Sequence, residues 1–158
     1  MSVLAPTKVM TVEDDPIVRA NLRLILEDAG FSVCADARDG VEAVELARQH
    51  RPDLILLDLV LPSLDGVEAT RRILGEQDVA IVAVTGHANE PLLDLAREAG
   101  ATATLTKPFS DRQLVGTIRG ILADREAEQN HLRYLVERML RDGYSEREIE
   151  RAVRHASS

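Results

Sequence analysis

Residues 54–66 have the sequence LILLDLVLPSLDG, in which four consecutive apolar side chains are followed by an aspartate. A strand that is apolar without alternation is buried on both faces, which is typical of a parallel sheet covered by helices on each side. Asp58 follows this strand, and Asp65 is placed to cap a helix over residues 65–74. The segment therefore predicts a strand, a loop and a helix, with a carboxylate at the carboxyl end of the strand.

The same alternation of short apolar strands and amphipathic helices continues on both sides of this unit. The four further predicted strands are Lys8–Val12, Phe31–Ala35, Val79–Val84 and Thr102–Leu105. Helical periodicity follows each strand, at residues 16–29, 39–50, 65–74, 89–99 and 110–122. Five strands alternating with five helices predict an α/β fold in which a parallel sheet lies between two layers of helices.

Polar side chains follow four of the five predicted strands. They are Glu13, Asp14 and Asp15 after the first, Asp58 after the third, Thr85 after the fourth and Lys107 after the fifth. Because the carboxyl ends of parallel strands lie at one edge of the sheet, these groups are expected to surround one cleft. Carboxylates brought together repel unless a cation neutralises them, and hard oxygen ligands suit Mg²⁺. An aspartate in that setting can attack phosphorus, so the cleft predicts an aspartyl phosphate.

The spacing of these motifs resembles that of the receiver domain of two-component response regulators, over roughly residues 6–123. The matching pieces are EDD at 13–15, DLVLPSLDG at 58–66, VTG at 84–86 and KPF at 107–109. The resemblance implies a flavodoxin-like fold with five parallel strands in the order 2-1-3-4-5. It also implies a phosphoacceptor switch that is loaded by a histidine kinase or a histidine phosphotransfer protein, and not an enzyme with an external product.

The resemblance also implies roles for individual residues at the strand ends. Asp58 is expected to be the phosphoacceptor. The Mg²⁺ ligands are expected to be Asp14, Asp15, Asp58 and the backbone carbonyl of Val60.

Two further residues complete the set that the resemblance implies. Thr85 is expected to be the switch hydroxyl and Lys107 the phosphate-binding lysine. The peptide bond between Lys107 and Pro108 is expected to be cis, since bonds before proline tolerate that isomer.

One position departs from the family pattern. Tyr or Phe usually stands three residues before the lysine, and here that residue is Thr104. An aromatic rotamer switch cannot operate there, so phosphoryl uptake is expected but the usual route of output is not. Val60 and His87 stand where the family varies its dephosphorylation rate, and His87 by itself is interpreted as a loop side chain.

Composition sets the broad class of the protein and limits its partners. Of 158 residues, 45% are hydrophobic, 29% charged and 3% aromatic, which is typical of a globular domain with an aliphatic core. The formal net charge of −8 disfavours general affinity for nucleic acid and anionic membranes, which are polyanions. With no secretory leader and no apolar run of about 18 residues, a cytoplasmic protein without a membrane span is expected.

The chain is predicted to divide into a receiver at residues 1–123 and a helical extension at residues 124–158. In the extension, Gly143 is placed to end one helix, and Ser145 with Glu148 has the spacing of a capping box that begins another. A helical hairpin is therefore predicted. Because the polar residues 123–131 contain neither Gly nor Pro, the fifth helix can either continue through them or fold back.

The extension carries an apolar stripe from Leu132 to Leu140. About 35 residues rarely bury enough apolar surface to fold alone, so this stripe is expected to meet something else. A second copy of the chain, the receiver's own surface and a target protein remain open. DNA binding is disfavoured, because seven arginines against eight acidic residues give the extension a charge of 7 − 8 = −1.

Two other functions are compatible with parts of the pattern. A degenerate receiver, acting as an interaction module without phosphorylation, is supported only by Thr104. A phosphatase similar to the haloacid dehalogenases would also form an aspartyl phosphate, but that family places a second Asp two residues after a nucleophile on the first strand. Here Val60 follows Asp58 by two residues, so a response regulator is the function that the sequence predicts.

Overall fold

The structure is a computed structural model that describes residues 5–86 and 89–156 of the 158-residue chain. Its strands and helices alternate as predicted. Strands β1 to β5 are Lys8–Val12, Ser32–Ala37, Leu54–Asp58, Ala80–Gly86 and Ala103–Lys107. Helices α1 to α6 are Pro16–Asp28, Gly40–His50, Gly66–Glu76, Glu90–Glu98, Asp111–Arg141 and Glu146–Ala156.

The five strands form one parallel sheet in the order β2-β1-β3-β4-β5, which confirms the predicted fold. Strand β3 lies at the centre, and all five of its residues are buried. This explains its uninterrupted apolar sequence, because neither face of a central strand in such a sheet meets water. The register pairs Asp58 with Val84 and Thr85 with Thr106, so the ends of three strands lie side by side.

The core is aliphatic, as the composition predicted. Its most deeply buried members include Met10, Leu26, Ile55, Ile81 and Leu114, each with an exposed fraction below 2%. Side chains of this kind exclude water without requiring hydrogen-bond partners. The sheet and its helices thereby form a rigid support for the loops that follow the strands.

Close backbone contacts fix the loop after β3. A Cβ atom added to Gly66 would lie 2.5 Å from the Cα of Leu59 and 2.6 Å from the carbonyl oxygen of Asp58. The Gly66 amide also donates a hydrogen bond of 3.1 Å to the Leu59 carbonyl. Only glycine allows the start of α3 to lie this close to the residues around Asp58.

The Cα positions divide into two compact units, residues 1–118 and 119–158, whose boundary falls within helix α5. We call the described parts of these units the receiver unit and the C-terminal hairpin. Helix α5 continues through residues 123–131 without interruption. In the described part of the chain, no helix combines the length and apolar character needed to cross a bilayer.

The C-terminal hairpin contains the turn that the sequence predicted. Gly143 has a φ of 86°, a left-handed conformation that suits glycine, and its amide donates to the Leu140 carbonyl at 3.2 Å. Ser145 and Glu148 form the predicted capping box: the Ser145 amide donates to the Glu148 carboxylate at 2.8 Å. The Glu148 amide lies 3.4 Å from the Ser145 hydroxyl oxygen.

Candidate functional site

Asp58 is the last residue of β3, and its side chain is only 10% exposed. Both of its carboxylate oxygens accept hydrogen bonds. The backbone amide of Val60 donates to Oδ1 at 2.9 Å, and the Lys107 ammonium donates to Oδ2 at 2.8 Å. A buried carboxylate requires such partners, because an unpaired charge away from water is costly. The two bonds hold the carboxylate at the carboxyl-terminal edge of the sheet.

Lys107 ends β5 and joins two carboxylates. Its Nζ donates to Asp58 at 2.8 Å and to Glu13 Oε2 at 3.1 Å, although these residues are far apart in the sequence. Burial alone would lower the pKa of Lys107, but the bonds to Asp58 and Glu13 outweigh it and raise the pKa. The ammonium therefore stays charged beside Asp58 at neutral pH. The Lys107–Pro108 peptide bond is cis, as predicted.

Glu13 directly follows β1 and is 3% exposed. Burial, reinforced by a contact with the Asp58 carboxylate, raises the pKa of Glu13 to about 7 against the opposing effect of Lys107. Its Oε1 accepts a hydrogen bond from the Asp15 amide at 3.2 Å. A cation in this cleft would favour the charged form of Glu13, because an opposite charge offsets the cost of burial.

Carboxylate oxygens of Glu13, Asp14 and Asp58 lie within 4.8 Å of one another. Hard, anionic oxygens converging from two strand ends suit Mg²⁺, which takes one or two carboxylates and keeps several waters. The donor set therefore fits a magnesium ion beside Asp58.

Asp15, which the sequence predicted as a ligand, has a different position from the other two acids. Its Oδ1 accepts hydrogen bonds from the amides of Ile17 at 2.8 Å and Val18 at 3.3 Å, so it caps helix α1. The acids after the first strand whose oxygens lie near Asp58 are therefore Glu13 and Asp14, and the role of Asp15 as a ligand stays a prediction. The sequence contained a signal for the cap, since Asp followed by Pro16 is typical of an N-cap and the first helical residue.

Thr85 lies at the end of β4, next to Asp58 in the sheet. Its Oγ1 is buried, and no partner for it is found within the described residues. A buried hydroxyl without a partner costs free energy, which a phosphoryl oxygen nearby could relieve. His87 lies outside the described residues, and the Val60 carbonyl remains a predicted ligand.

An apolar cavity of about 350 Å³ lies beside this cleft. Its lining includes Leu22 and Ile25 of α1 and Pro108 and Phe109 after β5. Ile17, at the start of α1, is 80% exposed. An exposed apolar surface of this kind is suited to contact with another macromolecule.

Comparison with known proteins places this geometry in a family. The chain matches the sequence profile of the response regulator receiver domain over residues 9–119. It is 39% identical over 113 residues to the transcriptional regulatory protein PdtaR of Mycobacterium tuberculosis, covering 72% of this chain and 55% of that one. It is 35% identical over 122 residues to the polar-differentiation response regulator DivK of Brucella anthropi, covering 75% and 98%.

Solved structures agree with these relatives. A CheY-like receiver domain protein from Methanospirillum hungatei has a TM-score of 0.74 at 26% identity, covering 78% of this chain and 99% of that chain. The receiver domain of the sensor histidine kinase PA1611 of Pseudomonas aeruginosa, solved with magnesium in its active-site cleft, has a TM-score of 0.63 at 34% identity, covering 70% and 92%. The chain spans about half the length of several of its relatives, including PdtaR at 55%.

Proposed function

This chain belongs to the response regulator receiver family, whose general function is phosphorylation switching, and we propose that Asp58 is its phosphoacceptor. The observation that carries the proposal is the position of the Asp58 carboxylate. It is buried at the end of β3, bonded to Lys107 at 2.8 Å and within reach of Glu13 and Asp14. The Asp58 carboxylate is thus accessible to a phosphoryl donor, and the Lys107 ammonium and two further carboxylates lie around it.

In the proposed reaction, a carboxylate oxygen of Asp58 forms a bond to phosphorus. The bond between phosphorus and the donor atom breaks at the same centre, and its electron pair leaves with the donor. For a histidine kinase or phosphotransfer protein, the leaving atom is an imidazole nitrogen. Receiver domains interact with such proteins, and we propose that the cavity lined by Leu22, Ile25 and Phe109 receives the donor here.

Lys107 is proposed to orient Asp58 and to hold one oxygen of the arriving phosphoryl group. Its raised pKa supports a permanent charge, which stabilises the negative charge spread over a phosphoryl group during transfer. Thr85 is proposed to donate its hydroxyl hydrogen to another phosphoryl oxygen. That bond would satisfy the buried Oγ1 only in the modified state.

Receiver domains bind Mg²⁺ at an acidic pocket, and we propose that Glu13, Asp14, Asp58 and the Val60 carbonyl hold it here. Bound Mg²⁺ would supply charge neutralisation at the transferred oxygens. Glu13 must lose its proton to serve as a ligand, and its raised pKa implies that metal binding strengthens with pH up to about 7.

The chain is proposed to catalyse its own phosphorylation from small donors and the slow loss of the phosphoryl group. In that loss, water attacks phosphorus, inorganic phosphate departs, and the Asp58 carboxylate is restored. The proposed receiver at residues 1–123 would act in the cytoplasm, and residues 124–158 would transmit the state to a partner.

The experiment is intact-mass measurement after incubation with acetyl phosphate, with and without Mg²⁺. We expect one phosphoryl adduct in the wild type with Mg²⁺ and none in Asp58→Ala. Asp14→Ala and Asp15→Ala form a matched pair of neighbours: the first should abolish labelling, and the second should preserve it because Asp15 caps α1. An adduct that persists in Asp58→Ala would refute the proposed phosphoacceptor.

Self-association is the second element of the proposal. In the C-terminal hairpin, Leu135, Leu140 and Tyr144 are 38%, 53% and 49% exposed, and a second copy of the chain would cover them. Light scattering after size-exclusion chromatography should give the mass of a dimer, and Leu135→Glu should give that of a monomer. A monomeric wild type, with and without beryllofluoride, would point to a target protein as the occupant.

A further inference from the structure

The residue that replaces the family's aromatic side chain is engaged by a cation. Thr104 Oγ1, on β5, accepts a hydrogen bond of 2.8 Å from Arg97 Nη2, on α4. The other terminal nitrogen of Arg97 donates to Asp94 Oδ1 at 2.8 Å. We call this set the α4–β5 bridge. It joins the last turn of a helix to the second residue of an edge strand through one guanidinium.

The bridge residues line a polar cavity of about 310 Å³. It is lined by Glu90, Leu93, Asp94 and Arg97 of α4 and by Thr104 and Thr106 of β5. The cavity is thus bordered by residues of both α4 and β5. The bridge is a polar contact across a gap, and such a contact can open without disrupting a packed core.

The sheet connects this cavity to the candidate switch hydroxyl. Thr85 is the register partner of Thr106, so both side chains lie on the same face of the sheet. Thr104 is two residues from Thr106 and lies on that face as well. Thr106 and Thr104 thus lie on one face of the sheet with Thr85, whose buried hydroxyl has no partner among the described residues.

We propose that Arg97 is a positioning residue which reports the state of Asp58 on the α4–β5 surface. This inference rests on the proposed phosphorylation of Asp58. The bridge holds α4 against β5 while the Thr85 hydroxyl is unpartnered, and it opens when Thr85 bonds to the phosphoryl group. Opening releases the Arg97 guanidinium from Thr104, so that it can bind an acidic side chain of a protein partner on this surface.

Linkage gives this proposal a measurable consequence. A contact that exists only in the unmodified state opposes activation, so its removal must strengthen binding of any ligand that selects the activated state. Beryllofluoride with Mg²⁺ is such a ligand, because it imitates a phosphoryl group on Asp58. Loss of one ordinary hydrogen bond corresponds to roughly a threefold to tenfold tighter dissociation constant.

The experiment is calorimetric titration of the full chain with beryllofluoride and Mg²⁺. We expect threefold to tenfold tighter binding for Thr104→Val, which removes the acceptor at nearly constant volume, and for Arg97→Ala. Thr104→Ser keeps a hydroxyl and should restore wild-type affinity. Arg72→Ala is the matched control: the Arg97 and Arg72 side chains are 54% and 55% exposed, but Arg72 pairs with Glu68 in its own helix.

The outcomes separate this inference from the proposed function. If the wild type does not bind beryllofluoride, the phosphoacceptor proposal fails. If the wild type binds, and Thr104→Val and Arg97→Ala match it or bind more weakly, the bridge does not oppose activation and the inference is overturned. A purely structural role would lower the free energy of unfolding without changing beryllofluoride affinity, and urea unfolding of the same variants would reveal it.

Amide hydrogen exchange provides a second readout. In Arg97→Ala without beryllofluoride, residues 90–98 of α4 should exchange as fast as in the wild type with beryllofluoride. Exchange at the rate of the unliganded wild type would count against the bridge as the reporting element.

Discussion

In the receiver unit, side chains pack against segments that are distant in the chain, whereas the C-terminal hairpin is organised by contacts within a few residues. Strand β3 pairs with β1 on one side and β4 on the other, and Lys107 bonds to Glu13 across the sheet. In the hairpin, the turn is made by the bond from Gly143 to Leu140 and by the Ser145–Glu148 box. The two regions are thus specified by different kinds of interaction.

Burial shows what that difference means for stability. The receiver unit contains a large set of fully buried aliphatic side chains. In the hairpin, Ile149 is 7% exposed, whereas Tyr134, Leu140 and Tyr144 are each about half exposed. Helical signals therefore determine the shape of the hairpin, but apolar burial within it is small. This is why we propose that a second copy of the chain completes it.

The largest expected effect lies in the receiver unit. Gly66→Ala should lower the free energy of unfolding by more than about 3 kcal/mol, since overpacking against backbone cannot be relieved by a rotamer change. The added Cβ would lie 2.5 Å from the Cα of Leu59. Urea unfolding followed by circular dichroism measures the loss. Gly116→Ala is the control, because its Cβ would meet nothing within 4 Å; equal stability of the two variants would contradict the close contact.

A pair of isoleucines tests the contrast in burial. Ile55→Ala, at a fully buried position in β3, should cost about 3 kcal/mol through lost burial and a cavity. Ile149→Ala should leave the main urea transition nearly unchanged and reduce only the helical signal of the hairpin. If Ile149→Ala moved the main transition as far as Ile55→Ala, the two regions would share one core and the comparison would be wrong.

Acid should act on the two regions in opposite directions. The pKa of Glu13 is raised to about 7 by burial, so the folded state binds its proton more firmly than the unfolded state. Its stabilising contribution is complete below pH 4.5 and is lost as pH rises to about 7, a change on the order of 1–3 kcal/mol. Urea unfolding in Mg²⁺-free buffer at several pH values should show this fall, and Glu13→Gln should abolish it.

In the hairpin, the change of stability with pH is expected to have the opposite sign. Hydrogen bonds from Ser145 lower the pKa of Glu148, so its contribution is present above the ordinary carboxyl pKa and is lost as pH falls below it. Protection of the α6 amides, expressed relative to their intrinsic exchange rates, should therefore fall below pH 4.5, where the contribution of Glu13 no longer changes. If stability changed with pH in the same direction in both regions, the assignment of Glu13 or of the capping box would be contradicted.

The smallest effect is expected at the turn of the hairpin. Gly143→Ala should cost about 1 kcal/mol, because alanine disfavours the left-handed conformation that Gly143 adopts. Its φ is 86°, and a Cβ there would meet nothing within 4 Å. Amide exchange of residues 139–145 measures the change. A cost as large as that of Gly66→Ala would show that Gly143 has a packing role as well.

Most of the fold follows from signals that are local in the chain. The uninterrupted apolar strand at 54–57 required burial on both faces, and the alternation with helices required a parallel sheet. The glycine at 143 and the capping box at 145–148 marked the hairpin. These features were predictable because each depends on the conformation or hydrophobicity of neighbouring residues, which the sequence displays directly.

The choice among adjacent acids depended on three-dimensional position. Three carboxylates in a row follow β1, and periodicity does not say which oxygen turns towards Asp58. The structure directs Glu13 into the cleft and Asp15 to the amides of α1, because the strand ends at Val12 and the helix begins at Pro16. One residue of register thus separates a candidate ligand from a helix cap.

The sequence alone was sufficient for the α/β class, the strand ends that carry chemistry and the unusual threonine at position 104, since all three follow from residue type and spacing. Only the folded chain showed that Glu13 is buried with a raised pKa, that Lys107 bonds to two carboxylates, and that Arg97 binds Thr104. These are contacts between residues up to 94 positions apart. Burial and charge at such distances are set by packing, which no local pattern contains.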